Sequence, residues 1–239
     1  MKPALLLVVR PEPGNAATLA AARALGIEPH GDPLFKIVAT AWDAPPAAEF
    51  DAVLIGSANA LRHGGKALAR YAALPAYVVG QTTAEAARQA GFAVAAVGSG
   101  GLQGLTALLA EDGRRRVLRL AGMEHIPLVS GADTAIETVV LYEAQPRPLS
   151  AAGAALLPNG AVVLLHSAAA ARQFASECAR LDVRRNTVAL ACLGPRIAEA
   201  AGEGWGSVAS AQRPDDTALL ALAARMCQNA RFGDTDNNN

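Results

Sequence analysis

The chain has few aromatic residues, few cysteines, no excess of either charge and no long apolar run. Only 4% of the 239 residues are aromatic, so a recognition surface built from stacked rings is not expected. The three cysteines, Cys178, Cys192 and Cys227, are odd in number and far apart. They show no metal-binding or redox spacing, and they point to unpaired thiols in a reducing cytoplasm. A formal net charge of +0 argues against nucleic-acid binding, which normally needs a basic stripe. Charges or glycines interrupt every apolar segment well short of the ~20 residues of a membrane helix. No membrane partner is expected.

Several motifs are also missing. No Gly-x-Gly-x-x-Gly follows the first strand, and there is no Walker loop, no Gly-x-Ser-x-Gly elbow and no His-Glu-x-x-His. Nucleotide, metal and acyl-enzyme chemistries lose weight accordingly, and no cofactor is expected.

What is present is a soluble composition, 52% apolar and 18% charged, arranged as a repeat. Phe50-Asp-Ala-Val-Leu-Ile-Gly-Ser-Ala-Asn-Ala60 returns as Gly160-Ala-Val-Val-Leu-Leu-His-Ser-Ala-Ala-Ala170. Ala76–Glu85 is echoed by Leu190–Glu199, and Leu105–Leu109 by Asp216–Leu220. Ser57 to Ser167, Gly80 to Gly194 and Thr106 to Thr217 keep one order at offsets of 110 to 114 residues. Short apolar runs alternating with helical segments call for parallel sheets covered on both faces. The reading is therefore α/β, with two similar parallel-sheet (flavodoxin-like) domains.

Ala4–Val9 reads as a first strand rather than a signal peptide. Asn15–Leu25 reads as a helix, with Leu19, Ala22 and Leu25 on one face and Gly26 as its stop. A strand over Pro33–Ala41, a strand over Ala52–Ile55 and a helix over Ala58–Ala73 follow. After a strand at Ala76–Val79, Thr82-Thr-Ala-Glu85 fits a capping box for a helix over Thr83–Ala90. Ile136–Ala144 alternates and is rich in β-branched residues, so it reads as a strand leaving its domain.

The second half lacks an opening strand and helix, and residues 1–36 can supply them. Residues 1–36 and 147–230 are then expected to form one discontinuous domain, with 38–145 inserted as the other. Two crossings, near Phe35–Ala41 and Val139–Gln145, would pair as a two-stranded β-ladder. Residues 231–239 read as a disordered tail.

In open parallel sheets ligands lie beyond the carboxyl ends of the strands, where helix N-termini offer free N–H groups and favour anions. The turns placed there are Arg10–Asn15, Ser57–Asn59, Gly80–Thr83, Ser167–Ala169 and Gly194–Arg196. Taken singly, Ser57, Thr82 and Ser167 are better read as ordinary helix caps, whereas five such turns at one sheet edge make an anion-binding face competitive. Among nearby cations, Arg62, His63, Lys66, Arg119 and Arg172 would by default be solvated. Arg10 and Arg196 stand out because each follows a strand. Tyr142 is read equally well as a core residue or as a functional hydroxyl facing a cleft, and His125 and His166 show no partner pattern.

The whole pattern resembles the uroporphyrinogen-III synthase family. The resemblance rests on Val9-Arg-Pro11, Ala24-Leu-Gly26, Pro33-Leu-Phe-Lys-Ile37 and Val53-Leu-Ile-Gly-Ser-Ala-Asn59. It continues through Tyr77–Ala84 with Ala90-Gly-Phe92, Val117–Gly122, Val140-Leu-Tyr142, Leu165-His-Ser167, Cys192-Leu-Gly-Pro195 and Pro214–Leu220.

The resemblance implies two α/β domains and cofactor-free cyclisation of hydroxymethylbilane to uroporphyrinogen III, with inversion of the last pyrrole ring. It implies Tyr142 as proton donor to the leaving hydroxyl. Arg10, Ser57, Asn59, Gly80, Thr82, Thr83, Arg119, Ser167, Gly194 and Arg196 are the candidate substrate-binding residues. The implied partners are the linear tetrapyrrole and the upstream bilane synthase, and the implied state is a cytoplasmic monomer. One departure stands out. Gly194-Pro-Arg-Ile-Ala198 carries Arg196 and Ile197 where the family commonly has two threonines. A non-catalytic hinge-type binder of an anionic small molecule remains the alternative, with a nucleotide-sugar enzyme weaker because no phosphate loop is present.

Overall fold

The computed structural model describes residues 5–99, 101–131 and 133–229. Ala4 of the expected first strand and the tail 231–239 lie outside these residues. The chain runs through β1 (Leu5–Val8), α1 (Gly14–Ala24), β2 (Pro29–Gly31), β3 (Phe35–Ala39), β4 (Ala52–Ile55) and α2 (Ala58–His63). Next come β5 (Ala76–Val79), α3 (Gln81–Gln89), β6 (Val94–Gly98), α4 (Leu102–Glu111) and β7 (Arg116–Gly122). Then follow β8 (Ala135–Pro146), α5 (Ala151–Leu156), β9 (Ala161–Leu165) and α6 (Ala168–Arg180). The last elements are β10 (Val188–Cys192), α7 (Pro195–Ala201), β11 (Ser207–Ser210) and α8 (Asp216–Asn229). The fold is α/β, as the periodicity indicated. Among the described residues no helix is long and apolar enough to cross a membrane.

Two compact units divide the chain, one holding residues 1–36 and 146–239 and the other 37–145. The first contains a parallel sheet in the order β11-β10-β9-β1-β2. Alternation along its strands sends side chains to opposite faces. Leu7, Val163, Leu165 and Leu190 pack on one side with Phe174 of α6 and Trp205. Leu6, Val8, Val162 and Leu164 pack on the other with Ala22 of α1 and Leu219 and Ala223 of α8. Phe174 and Trp205 stack with centroids 5.6 Å apart.

Chain re-entry into this unit rests on two carboxylates. Glu177 accepts from the Leu149 N–H at 2.8 Å, and Asp32 accepts from the Ser150 N–H and hydroxyl at 2.9 and 2.7 Å. The Ser150 hydroxyl oxygen in turn caps α5 through the Gly153 N–H.

The second unit contains a sheet in the order β3-β8-β7-β4-β5-β6, parallel from β8 through β6. Thr40 N–H donates to Leu141 O, and Arg147 N–H to Leu34 O. The partners ascend on one strand and descend on the other, so β3 lies antiparallel to β8. Val53, Ile55, Val78, Leu118 and Leu120 pack with Tyr71, Ala84 and Phe92 on one face. Ala52, Leu54, Tyr77 and Val117 pack with Leu105 and Leu109 of α4 on the other.

The two sheets have one strand order. Reading β6-β5-β4-β7-β8 against β11-β10-β9-β1-β2 puts β4 with β9, β5 with β10 and β6 with β11. This is the pairing that the sequence repeat indicates. β7 and β8 then stand where β1 and β2 stand, so one copy of the arrangement is permuted in chain order relative to the other.

Several local expectations are corrected. The helix expected over 58–73 is two pieces, α2 and a 3-10 turn at Lys66–Tyr71. A side chain at Gly64 would lie 2.5 Å from Leu141, and Gly65 has φ +69°. Close packing and a left-handed residue thus end α2, and the Trp42 indole N–H donates to the Gly64 carbonyl at 3.0 Å. α3 begins at Gln81 with Gly80 as its N-cap and no side-chain cap, so the Thr82–Glu85 capping box does not form. β2 was not expected, being three residues that include Pro29.

Leu25 is exposed because α1 has already ended. Ile27 N–H bonds Ala22 O and Gly26 N–H bonds Arg23 O, a Schellman turn that puts Ile27, not Leu25, against the core. α6 ends the same way, with Val183 N–H to Cys178 O and Asp182 N–H to Ala179 O. Here the left-handed position is Asp182, φ +53°, where a Cβ is disfavoured. Asp182→Gly should therefore raise the unfolding free energy by about 0.5–1 kcal/mol, read from chemical denaturation midpoints. An unchanged or lower midpoint would contradict this account.

Candidate functional site

Each parallel strand hands its chain to a helix or loop at the carboxyl edge of its sheet. In the first unit β1 leads on to β2 on one side, while β9 leads on to β10 on the other. Neighbouring strands whose continuations diverge mark the ligand position in open α/β sheets. Arg10 follows β1, His166 follows β9 and Asp216 opens α8.

The three side chains meet. Arg10 donates through one Nη to Asp216 Oδ2 at 2.6 Å and to the Thr18 hydroxyl at 3.3 Å. Its guanidinium lies against Gly14, where an added Cβ would sit 2.5 Å from Arg10 Nε. His166 Nε2 lies 3.5 Å from the other Asp216 oxygen. That contact is at the long limit for a hydrogen bond, and neither imidazole nitrogen has a closer partner.

Burial lowers the His166 pKa below its usual 6.5, more than Asp216 raises it, so the ring is neutral near pH 7. The adjacent imidazole and the Arg10 guanidinium overcome partial burial to hold the Asp216 carboxyl down to about 2. The sequence shows no partner pattern for His166. Asp216 provides a partner, and nothing local in the sequence marks the pair.

Elsewhere on this edge the Ser167 hydroxyl caps α6 by accepting the Ala170 N–H at 3.1 Å. Gly194 is extended, and Pro195 occupies the first turn of α7, where its missing N–H costs nothing. Arg196 is exposed and makes no ion pair among the described residues. Ile197 is half-buried against the Phe174–Trp205 core, which explains an apolar residue there.

In the second unit the divergence lies between β4 and β7. At the end of β4 the Ser57 hydroxyl accepts the Asn59 N–H at 3.2 Å, and the Asn59 side chain accepts from Arg62. Gly80, φ +77°, turns β5 into α3; Thr82 is exposed and Thr83 buried. Arg119, inside β7, is only 4% exposed. It donates to Ile126 O at 2.8 Å, while its buried Nε has no partner. Burial lowers its pKa. It is the least solvated of the cations expected near these turns.

Tyr142 lies beside Gly122, where a Cβ would come within 2.6 Å of the ring. Only a glycine on β7 leaves that space. The His63 ring is 6.3 Å away, centroid to centroid, and burial, then Arg62, lowers its pKa so that it is neutral near pH 7. The Tyr142 hydroxyl makes no hydrogen bond to another described residue. The described residues hold no cluster of three or more His, Cys, Asp or Glu that could bind a metal ion. Ser57, Asn59 and Tyr142 thus belong to one unit, and Arg10, Ser167, Gly194 and Arg196 to the other.

The family model described as uroporphyrinogen-III synthase HemD matches residues 16–221. Among solved structures, uroporphyrinogen-III synthetase from Helicobacter pylori 26695 is similar at TM-score 0.63 and 19% identity, covering 95% of this chain and 100% of that one. A mutant uroporphyrinogen III synthase from the extremely thermophilic bacterium Thermus thermophilus is similar at TM-score 0.55 and 17% identity, with the same coverage. No curated protein matches the chain in sequence.

The Arg10–Asp216–His166 cluster predicts how stability depends on pH. Asp216 binds fewer protons folded than unfolded, so its contribution is complete above about pH 4 and is lost as the pH falls toward 2. With screening at a half-exposed carboxylate, Asp216→Asn should cost about 1 kcal/mol at pH 7. That gap should narrow below pH 4. The unfolded His166 takes up a proton near pH 6.5 that the folded one refuses, so acidification from pH 7 to 5 should destabilise the protein. His166→Gln should lessen that loss. Urea midpoints measured across the range check both, and parallel pH curves for wild type and His166→Gln would contradict the second.

Proposed function

The chain belongs to the uroporphyrinogen-III synthase family, and on that premise we propose that it cyclises hydroxymethylbilane to uroporphyrinogen III. The reading is that of a lyase in tetrapyrrole biosynthesis, and the family match over residues 16–221 supports it most.

In the proposed reaction the terminal C–O bond breaks as the Tyr142 hydroxyl gives its proton to the leaving hydroxyl, releasing water. The pyrrole nitrogen lone pair supplies the electrons, leaving an azafulvene cation. The substituted carbon of the last ring attacks this cation to form a spiro intermediate. Reopening and reclosure invert the ring, and a final proton loss restores aromaticity.

Features of each unit suit this chemistry. The Tyr142 hydroxyl is not engaged by another described residue, so its proton is available to a ligand. The substrate carries eight carboxylates. The exposed Arg196 and the N–H groups opening α3 and α6 offer complementary charge. Arg10 contributes less than its position suggests, because Asp216 already neutralises it. A second reading, binding without turnover, is favoured by one observation: Ile197 is packed on the core, so that turn offers no hydroxyl to the substrate.

The test is hydroxymethylbilane consumption above the spontaneous rate. Tyr142→Phe should lower kcat by about 10²-fold or more with an unchanged thermal midpoint. Arg196→Ala should raise KM severalfold and leave kcat near the wild-type value. An unaltered kcat in Tyr142→Phe removes the acid role. Catalysis would then rest on holding the substrate in a ring-closing shape.

A further inference from the structure

The connection between β7 and β8 exposes an unusual share of large apolar side chains alongside Glu124 and His125. Of the seven large hydrophobic side chains exposed among the described residues, three lie in this one segment: Met123 at 54%, Ile126 at 81% and Val129 at 76%. Leu128 turns inward, half-buried against the Leu105–Leu109 cluster. A loop free to move could hide such residues. This one is pinned by its backbone.

Arg119 donates to Ile126 O at 2.8 Å. The Gln103 amide of α4 holds Val129 at both ends, donating to its carbonyl at 2.8 Å and accepting its N–H at 3.2 Å. His125 Nδ1 is 2.8 Å from Gly122 O, and Met123 N–H donates to Tyr142 O at 2.8 Å. A guanidinium is buried with an unpartnered Nε in order to fix a loop whose large side chains face water. The buried unpartnered donor costs stability, and the exposed apolar side chains leave surface that a ligand could take out of water.

The geometry points to the Met123, Ile126 and Val129 surface as the seat for the apolar ring faces of a tetrapyrrole. This inference rests on the function proposed above. Helix N-termini and arginines can hold the carboxylates at the substrate's rim, but they offer nothing to the pyrrole faces. The loop supplies what they lack. It starts at the end of β7, beside the divergence point of the sheet, and its first N–H is bonded to the carbonyl of Tyr142, the proposed proton donor. Arg119 is then a positioning residue that sets the loop rather than a direct partner of a carboxylate.

The test uses the full chain with Ile126→Ser and Val129→Ser combined. Both side chains are exposed, so an unchanged thermal midpoint is the expected folding control. If the surface seats the substrate, KM for hydroxymethylbilane rises about tenfold, on the order of the apolar area lost, while kcat stays near wild type. Anaerobic calorimetric titration with uroporphyrinogen III should show a parallel loss of affinity.

A turning-over wild type with unchanged KM and affinity in the variant overturns the inference and leaves the function standing. A wild type that binds uroporphyrinogen III through these residues without turnover sustains the inference and sinks the proposed reaction. A wild type that neither turns over nor binds sinks both. A micromolar wild-type dimer that the substitutions abolish, with KM unaltered, assigns the surface to a second copy and overturns the inference.

Discussion

Most of the candidate binding residues in this chain are placed by the one-way hand-over of a parallel strand. Side chains on a parallel strand buried on both faces must be apolar, which leaves little room within the strand for binding groups. Candidate binding groups are therefore displaced to the residue or two after a strand, toward helix starts with unbonded N–H groups. Arg10, Ser57, Gly80, His166, Ser167 and Gly194 all occupy such places. Arg119 shows what happens to a charge that stays inside a strand: it is buried, its pKa is lowered and one of its donors goes unpaired.

The two sheets share a strand order yet carry different groups where their strands diverge. In one, a guanidinium, a carboxylate and a neutral imidazole from three elements close on each other, so little net charge is left for a ligand. In the other, a tyrosine stands in space kept by a glycine, with a neutral histidine near it and a pinned apolar loop following. Unit 1 carries its β1-to-β2 connection on α1, whereas unit 2 makes the matching β7-to-β8 connection with that loop. This replacement of a helix by a loop is the physical root of the difference.

Much of the fold was legible because apolar runs bounded by turn residues have one cheap solution. β4 and β5 fall where their patterns place them, and the repeat identifies matching strands in the two sheets. Three things were not legible. Gly64 ends α2 because Leu141, far along the chain, lies against it. Thr82 looked like a cap, but Gly80 can take the left-handed turn that lets α3 start two residues early. Asp216 sits 206 residues from Arg10, a pairing no local pattern carries. Ile197 shows the opposite case. It looked like a lost hydroxyl and is accounted for by packing against the Phe174–Trp205 core.

The proposed function is that groups at these strand ends, together with Tyr142 inside β8, direct the closure of a linear tetrapyrrole with its last ring inverted. Hydroxymethylbilane left alone closes without inversion, so product identity is a more direct readout than rate. The measurement is the ratio of type III to type I uroporphyrinogen formed when the purified protein is added to the bilane. The account predicts type III as the dominant product, at a fraction that rises with protein concentration. Type I alone at high protein concentration would contradict it.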